Sequence, residues 1–367
     1  MKRCVIAGAG LIGMLTAREL ALAGAQVTLL ERGEPAQESS WAGGGILSPL
    51  YPWRYPPPVS EMARWGQRAY PQLCNLLREA SGTDPQWTQS GLLITDIDDS
   101  HAVETWAAEF GANLVLTDAA GARKIEPQLA LQPAAAAWMA DVAQVRNPRL
   151  AQALRGTLEK FGVVIHTTTP VEGWRIEGGR VRAARTPVGE VSGDVFVVAG
   201  GAWSALLLES TGLSLPVEPV LGQMILFQGP PGLVSRITLH KGRYVVPRRD
   251  GRVLFGSTLE YTGFDKRTTS AALDELKQAA FEMLPALASQ PVEKHWAGLR
   301  PGSPDGVPVV GPHPTVDNLY VNAGHFRNGV VLGPASARLL ADHILQRPTD
   351  LDMSNYLPEN IVKKISR

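Results

Sequence analysis

Residues 3–31 read RCVIAGAGLIGMLTARELALAGAQVTLLE, and the order of residue types in this stretch decides the fold. Arg3 to Ala7 is a short, β-branched apolar run of the kind that forms a buried parallel strand. Glycines follow at 8, 10 and 13. Met14 to Ala23 then carries apolar positions on one helical face, and a second strand, Gln26 to Leu30, ends in Glu31. Strand, glycine turn, helix, strand and acidic residue together make the βαβ unit that holds a dinucleotide. Gly8 permits the tight turn, Gly10 lets the backbone approach a pyrophosphate, and Gly13 lets the helix pack close to the strand. Leu11 and Ile12 lie in the turn that leads into the helix, whose N-terminal amides and partial positive charge suit phosphates. Glu31 is placed to accept hydrogen bonds from ribose hydroxyls and to disfavour an extra phosphate there. This unit alone does not separate FAD from NAD.

Beyond it lies Ser39-Ser40-Trp41-Ala42-Gly43-Gly44-Gly45-Ile46-Leu47. Two readings stand for this segment: a flexible glycine loop, or a hydroxyl pair and glycine run lining the path of a longer cofactor, with backbone amides facing its ring. Pro49 to Pro58 is rich in proline and aromatics, which rules out a helix or a central strand and favours an ordered loop, a lid over the site, above a partner-binding polyproline segment. Downstream, helices are predicted over Ser60–Ser81 (with Pro71 as a kink or boundary), His101–Gly111, Ala119–Glu126 and Asn147–Gly162. Strands are predicted over Trp87–Asp96, Val163–Thr169 and Val191–Val198, the last running into Ala199-Gly200-Gly201.

The chain has 367 residues, 44% of them hydrophobic, enough for one large domain or two ordinary ones around a substantial core. Lys plus Arg and Asp plus Glu both number 35, so nothing points to a nucleic-acid or anionic-membrane surface, and an anion must be recognised by a few placed residues. The two cysteines, Cys4 and Cys74, suggest neither a disulfide framework nor a metal site and fit a reducing cytoplasm. The N-terminal apolar run is broken by glycines too early for a secretory signal, and no stretch is long and apolar enough to span a bilayer. Dinucleotide-type segments recur at the start, middle and end, with strand-rich segments between them, which predicts two interleaved domains.

The motif Val5 to Gly13, Glu31 and the Ser39 to Leu47 run together resemble the D-amino-acid oxidase and glycine oxidase family of flavoenzymes, in its thiamin-biosynthesis branch. The resemblance extends to Ala297-Gly-Leu-Arg-Pro-Gly-Ser-Pro-Asp-Gly-Val-Pro308 and Gly324-His-Phe-Arg-Asn-Gly329. It implies an α/β (α+β overall) fold, in which a Rossmann-like FAD-binding domain (1–80, 141–215, 298–367) is interleaved with a smaller mixed-sheet substrate domain (81–140, 216–297). It implies FAD as cofactor, contacted by Gly8, Gly10, Leu11, Ile12, Gly13, Glu31, Arg32, Ser39, Ser40, Gly44, Gly45 and Ile46. Further cofactor contacts are implied at Val171 (adenine, through its main chain), at Gly200, and at His325, Phe326, Arg327, Asn328, Gly329 and Val330, beside the flavin pyrimidine edge. Related sarcosine oxidases tether flavin through a cysteine late in the chain; neither Cys4 nor Cys74 is there, so the flavin is expected to be non-covalent.

For catalysis, a guanidinium matches both oxygens of an amino-acid carboxylate. Arg300, where a strand runs into Pro301-Gly302, is the leading candidate; it reads either as a surface arginine or as a site residue at a strand end, and the resemblance favours the site. Tyr244 lies on a predicted hairpin that turns at Arg249-Asp250-Gly251; the resemblance assigns its hydroxyl a second carboxylate contact and places Arg327 near substrate and flavin. His325 reads first as structural rather than as a base. Ile46 is expected to help set pocket size. The implied reaction passes a hydride from the α-carbon of glycine, sarcosine or a small D-amino acid to flavin, with molecular oxygen as acceptor, and supplies the imine to a thiazole-forming enzyme of thiamin synthesis. A homo-oligomer is compatible with the sequence. The rival reading is a D-amino-acid dehydrogenase that passes electrons to a quinone.

Overall fold

The computed structural model describes residues 1–365; positions 366–367 of the predicted cofactor domain lie outside the described residues. The opening βαβ unit forms as its residues dictate: strand Arg3–Ala7, helix Leu11–Leu22 and strand Gln26–Leu30. The first strand sits centrally in a six-stranded sheet ordered Val309–Pro312, Leu319–Ala323, Val195–Val198, Arg3–Ala7, Gln26–Leu30, Val164–His166. All neighbours are parallel except Val309–Pro312, which pairs antiparallel at the edge. Its central strands are largely apolar, as burial on both faces requires, while the edge strand Val164–His166 is largely exposed.

Helix Leu11–Leu22 packs on Gly329–Ile344, which packs on Pro57–Ser81. The approach of the last two is close because Gly66 lacks a side chain: a Cβ there would lie 1.9 Å from Val331 O. Pro334 lies within helix Gly329–Ile344, and its missing N–H leaves Val330 O without its helical donor. The Tyr70 hydroxyl donates to that carbonyl at 2.7 Å.

A second sheet of eight strands runs Val292–Gly302, Glu218–Gln228, Arg252–Gly256, Arg243–Pro247, Ile237–His240, Leu92–Ile94, Ala136–Met139, Val115–Thr117. It is antiparallel except where Ile237–His240 meets Leu92–Ile94. Strands of the two large sheets alternate along the chain, and Val292–Gly302 runs unbroken across position 298.

Several predicted elements are corrected. Trp87–Asp96 is two short strands, Thr88–Gln89 and Leu92–Ile94, split at Gly91, whose φ of 66° and closeness to the Trp138 ring exclude a side chain. Val191–Val198 divides between sheets, because Asp194 turns to accept the Arg3 amide at 2.8 Å. The proline-rich stretch is not free of helix. Pro52–Arg54 makes a 3₁₀ turn, and Pro57 and Pro58 open the helix that was expected to begin at Ser60, since proline is pre-set for a first helical turn. Pro71 lies inside that helix without ending it. Arg300 is not at a strand end. Val292–Gly302 is an edge strand, where Pro301 is tolerated, so pairing continues to Gly302.

Candidate active site

A cavity of about 670 Å³ runs from the Gly8–Gly10 turn, past the Ser39–Ile46 segment, to Tyr244 and Arg300. Its first end is shaped by glycine. Gly8 adopts φ 108°, and a Cβ there would lie 2.4 Å from Ala199 O; a Cβ on Gly13 would lie 1.9 Å from Gly8 O. Gly13 therefore packs helix to turn behind the cavity and does not line it. Glu31 does line it, with Oε2 accepting Ala9 N at 2.8 Å and Oε1 accepting Gly33 N at 3.1 Å. A carboxylate has about four acceptor sites, so room remains for ligand hydroxyls. The Ser40 hydroxyl accepts the Leu11 amide at 2.8 Å, which ties the serine pair to the helix N-terminus. Arg32 stacks over the Trp203 ring at 3.4 Å and pairs with Glu38, forming a wall beside Val171 and Gly200.

The Gly43–Gly45 run is ordered, not a loose loop. Gly45 has φ 76°, its carbonyl accepts Val145 N at 2.9 Å, and a Cβ on it would lie 2.0 Å from Val145 O. A Cβ on Gly44 would lie 3.0 Å from the Tyr244 ring. Ile46 bridges to Gln144 and, with Leu50 and Met224, supplies apolar lining.

At the far end, Arg300 Nη2 donates to Ser257 Oγ at 2.6 Å, and Nη1 donates to Leu221 O at 3.1 Å and Thr258 O at 3.2 Å. A guanidinium has five N–H donors; Nε and one hydrogen of Nη2 take no part in these three bonds, and on that side the Tyr244 side chain is the group that favours the charged guanidinium. That edge of the fork fits a carboxylate. Burial lowers the pKa of Arg300; Tyr244 opposes the shift, while Arg327 and Arg243 add to it. The Tyr244 hydroxyl, also on the cavity wall, has the sulfur of Met224 as a weak partner at 3.8 Å and interacts with the Arg300 guanidinium.

The Gly324–Gly329 turn closes the cavity beside the N-terminus of helix Gly329–Ile344. Gly324, His325, Phe326, Arg327, Gly329 and Val330 line it. Phe326 is held at φ 43° by the hydrogen bond its N–H donates to Pro301 O at 2.9 Å. Among the described residues Arg327 donates only to Gly242 O, at 3.4 Å. Asn328 is buried behind the wall, and neither side-chain amide atom has a hydrogen-bond partner among the described residues. His325 is buried, with its Nε2 2.8 Å from Ser336 Oγ, and burial pushes its pKa down to about 3.

Sequence reading missed the residues that seat Arg300. Gly222 and Gly298 pair across adjacent strands. A Cβ on Gly222 would lie 2.1 Å from Arg300 Nη2, and one on Gly298 would strike Ala42 Cβ at 2.6 Å. Isolated glycines inside strand patterns are the signal that a neighbour approaches closely. Ser257 and Thr258, which hold the guanidinium, carry no such signal.

Residues 3–343 match the family described as DAO, FAD dependent oxidoreductase. The chain is similar to glycine oxidase of Pseudomonas aeruginosa, with 49% identity over 97% of this chain and 98% of that protein. It is similar to the bifunctional protein ThiO/ThiG of Synechocystis, with 32% identity over 98% of this chain, which spans 54% of that longer protein. Among solved structures it resembles glycine oxidase from Geobacillus kaustophilus, with a TM-score of 0.92 and 29% identity over 97% of this chain and 98% of the other.

Proposed function

The chain belongs to the DAO family of FAD-dependent oxidoreductases, and from that premise we propose that it oxidises glycine at its amine, using non-covalent FAD and oxygen. The observation that carries this reading is Arg300: a guanidinium with an open donor edge, at the end of a cavity that begins at a dinucleotide turn. The cavity fits the cofactor on its own terms, because side chains on Gly8 and Gly45 would collide with the backbone that shapes it. FAD, when bound, supplies the two-electron acceptor for the amine substrate and passes the electrons to oxygen, giving peroxide.

Glycines 8 and 10, Leu11, Ile12, Glu31, Arg32, Ser39, Ser40, Val171 and Gly200 would hold the nucleotide half. Gly44, Gly45, Ile46, His325, Phe326, Arg327, Gly329 and Val330 would enclose the ring. Arg300 grips the substrate carboxylate and Tyr244 adds a hydroxyl contact, which fixes the α-carbon in one orientation. Arg327 adds positive charge, so the ammonium form of the substrate is disfavoured beside two guanidiniums and the amine sheds its proton to solvent. Burial keeps His325 from acting as a base at neutral pH. Met224, Ile46 and Leu50 restrict the space beyond the carboxylate, which supports glycine, sarcosine and small D-amino acids as the substrate class.

The glycine oxidase relatives favour oxygen over a quinone as acceptor. The ThiO/ThiG relatives support delivery of the imine to a thiazole-forming enzyme. No helix among the described residues is long and apolar enough to cross a membrane; two free, buried cysteines support a cytoplasmic setting. The test mixes purified holoprotein with glycine. Bleaching of the flavin under argon and peroxide in air are expected, and both are lost in Arg300→Leu, which keeps its flavin. A flavin that glycine leaves fully oxidised overturns the proposal.

A further inference from the structure

Arg248 is absent from the machinery described so far, and its hydrogen bonds are unusual for an arginine. They go to an amide and two main-chain carbonyls: Nη1 donates to Gln144 Oε1 at 2.7 Å and Val145 O at 3.0 Å, and Nη2 donates to Gly44 O at 2.8 Å. Burial, reinforced by Arg146, holds its pKa down to about 10, so it stays charged at neutral pH. A desolvated cation is tolerated only where its donors are satisfied. All three acceptors belong to the glycine run or to the segment paired with it. Val145 N donates to Gly45 O, Leu47 N donates to Ala143 O, and Gln144 Nε2 donates to Ser90 Oγ and Pro247 O.

A trans peptide is planar, so its C=O and the following N–H point in opposite directions. The Gly44–Gly45 bond is trans. Arg248 draws Gly44 O into the protein, so Gly45 N–H points the other way. That N–H has no acceptor among the described residues, and both glycines line the large cavity. Tyr244 lies four residues earlier, in strand Arg243–Pro247, with its ring against Gly44.

We infer that Arg248 is a positioning residue: by pinning the Gly44 carbonyl it aims the Gly45 amide at the bound flavin ring. This rests on the FAD reading above. The donor is oriented before the ligand arrives, which is what electrostatic preorganisation requires. A lysine at 248 keeps the charge but has no planar fork to hold Gly44 O and Val145 O together.

The experiment compares wild type, Arg248→Lys and Arg248→Met as purified full-length proteins. FAD affinity is read by flavin fluorescence, the bound flavin by its visible spectrum, and the fold of each apoprotein by circular dichroism. Amide exchange at Gly45 is measured on wild type with and without FAD. Expected are FAD-dependent protection of Gly45 in wild type, and FAD affinity weakened about tenfold in Arg248→Lys and more in Arg248→Met, with a shifted visible band. The inference is overturned if wild type binds FAD while Gly45 exchange is unchanged, or if glycine rather than FAD protects it. It is also overturned if folded Arg248→Lys keeps wild-type affinity and spectrum. Should neither variant fold, exchange on wild type decides. Failure of wild type to bind FAD refutes the underlying reading instead, and is seen directly as a protein without visible absorbance.

Discussion

Gly222→Ala tests the carboxylate site without touching the residue that performs the binding. The glycine is buried in strand Glu218–Gln228 and does not have a positive φ, so its backbone accepts alanine. The new Cβ, however, would lie 2.1 Å from Arg300 Nη2, 2.2 Å from Nη1 and 2.3 Å from Cζ, where ordinary contact begins at 3.4 Å. The guanidinium must retreat by about 1 Å, a misplacement that costs on the order of 10²-fold in an oriented reaction. Retreat also stretches the bonds to Ser257 Oγ, Leu221 O and Thr258 O that hold its plane. About 2.7 kcal/mol of substrate binding is then lost. The assay is rapid-mixing flavin reduction by glycine under argon. The concentration giving half-maximal rate is expected to rise about 10²-fold, while FAD affinity stays unchanged, because the three nearest atoms to the added methyl all belong to Arg300. Unchanged glycine saturation in a folded, flavin-loaded Gly222→Ala protein refutes the placement of Arg300 as the carboxylate anchor.

Other perturbations probe the frame. His325 is held neutral in the fold with a pKa near 3, against 6.5 when unfolded. The unfolded chain therefore binds the extra proton between those values, and stability is full above pH 6.5 and falls by roughly 1.4 kcal/mol per unit as pH drops toward 3; His325→Asn should flatten that limb of a melting-temperature profile. Glu126, wholly buried, accepts the amides of Gln128, Ser235 and Arg236, so Glu126→Ala strands those donors and should cost about 2–4 kcal/mol in denaturant unfolding. Tyr70→Phe leaves Val330 O without a donor and should cost about 1–2 kcal/mol. In the Pro334→Ala background the same change should cost less, because the restored helical N–H can take that carbonyl; additive losses in the double-mutant cycle would contradict this.

The parts of the site that were legible in the sequence are those whose chemistry is local. Gly8, Gly13 and Glu31 announce a dinucleotide turn because strand, helix and turn lie within thirty residues, and the structure places them in that geometry. Arg300 and Tyr244 were recognisable as residue types suited to a carboxylate, yet spacing alone does not show why Arg300 presents one edge of its fork. That depends on Leu221 from the neighbouring strand, on Ser257 and Thr258 just past the end of strand Arg252–Gly256, and on Gly222, whose absent side chain vacates the space the guanidinium fills. The errors have the same origin. The sequence reads as a single strand across Gly91, but Trp138, nearly fifty residues away, occupies the space where a side chain would stand. Arg248 is the sharpest case. Its position after Pro247 looks like any exposed hairpin arginine, and only the convergence of residues 44, 144 and 145 on its donors turns it into a clamp. Local motifs therefore reveal which chemistry is present, while the long-range contacts that orient each group become visible only in the folded chain.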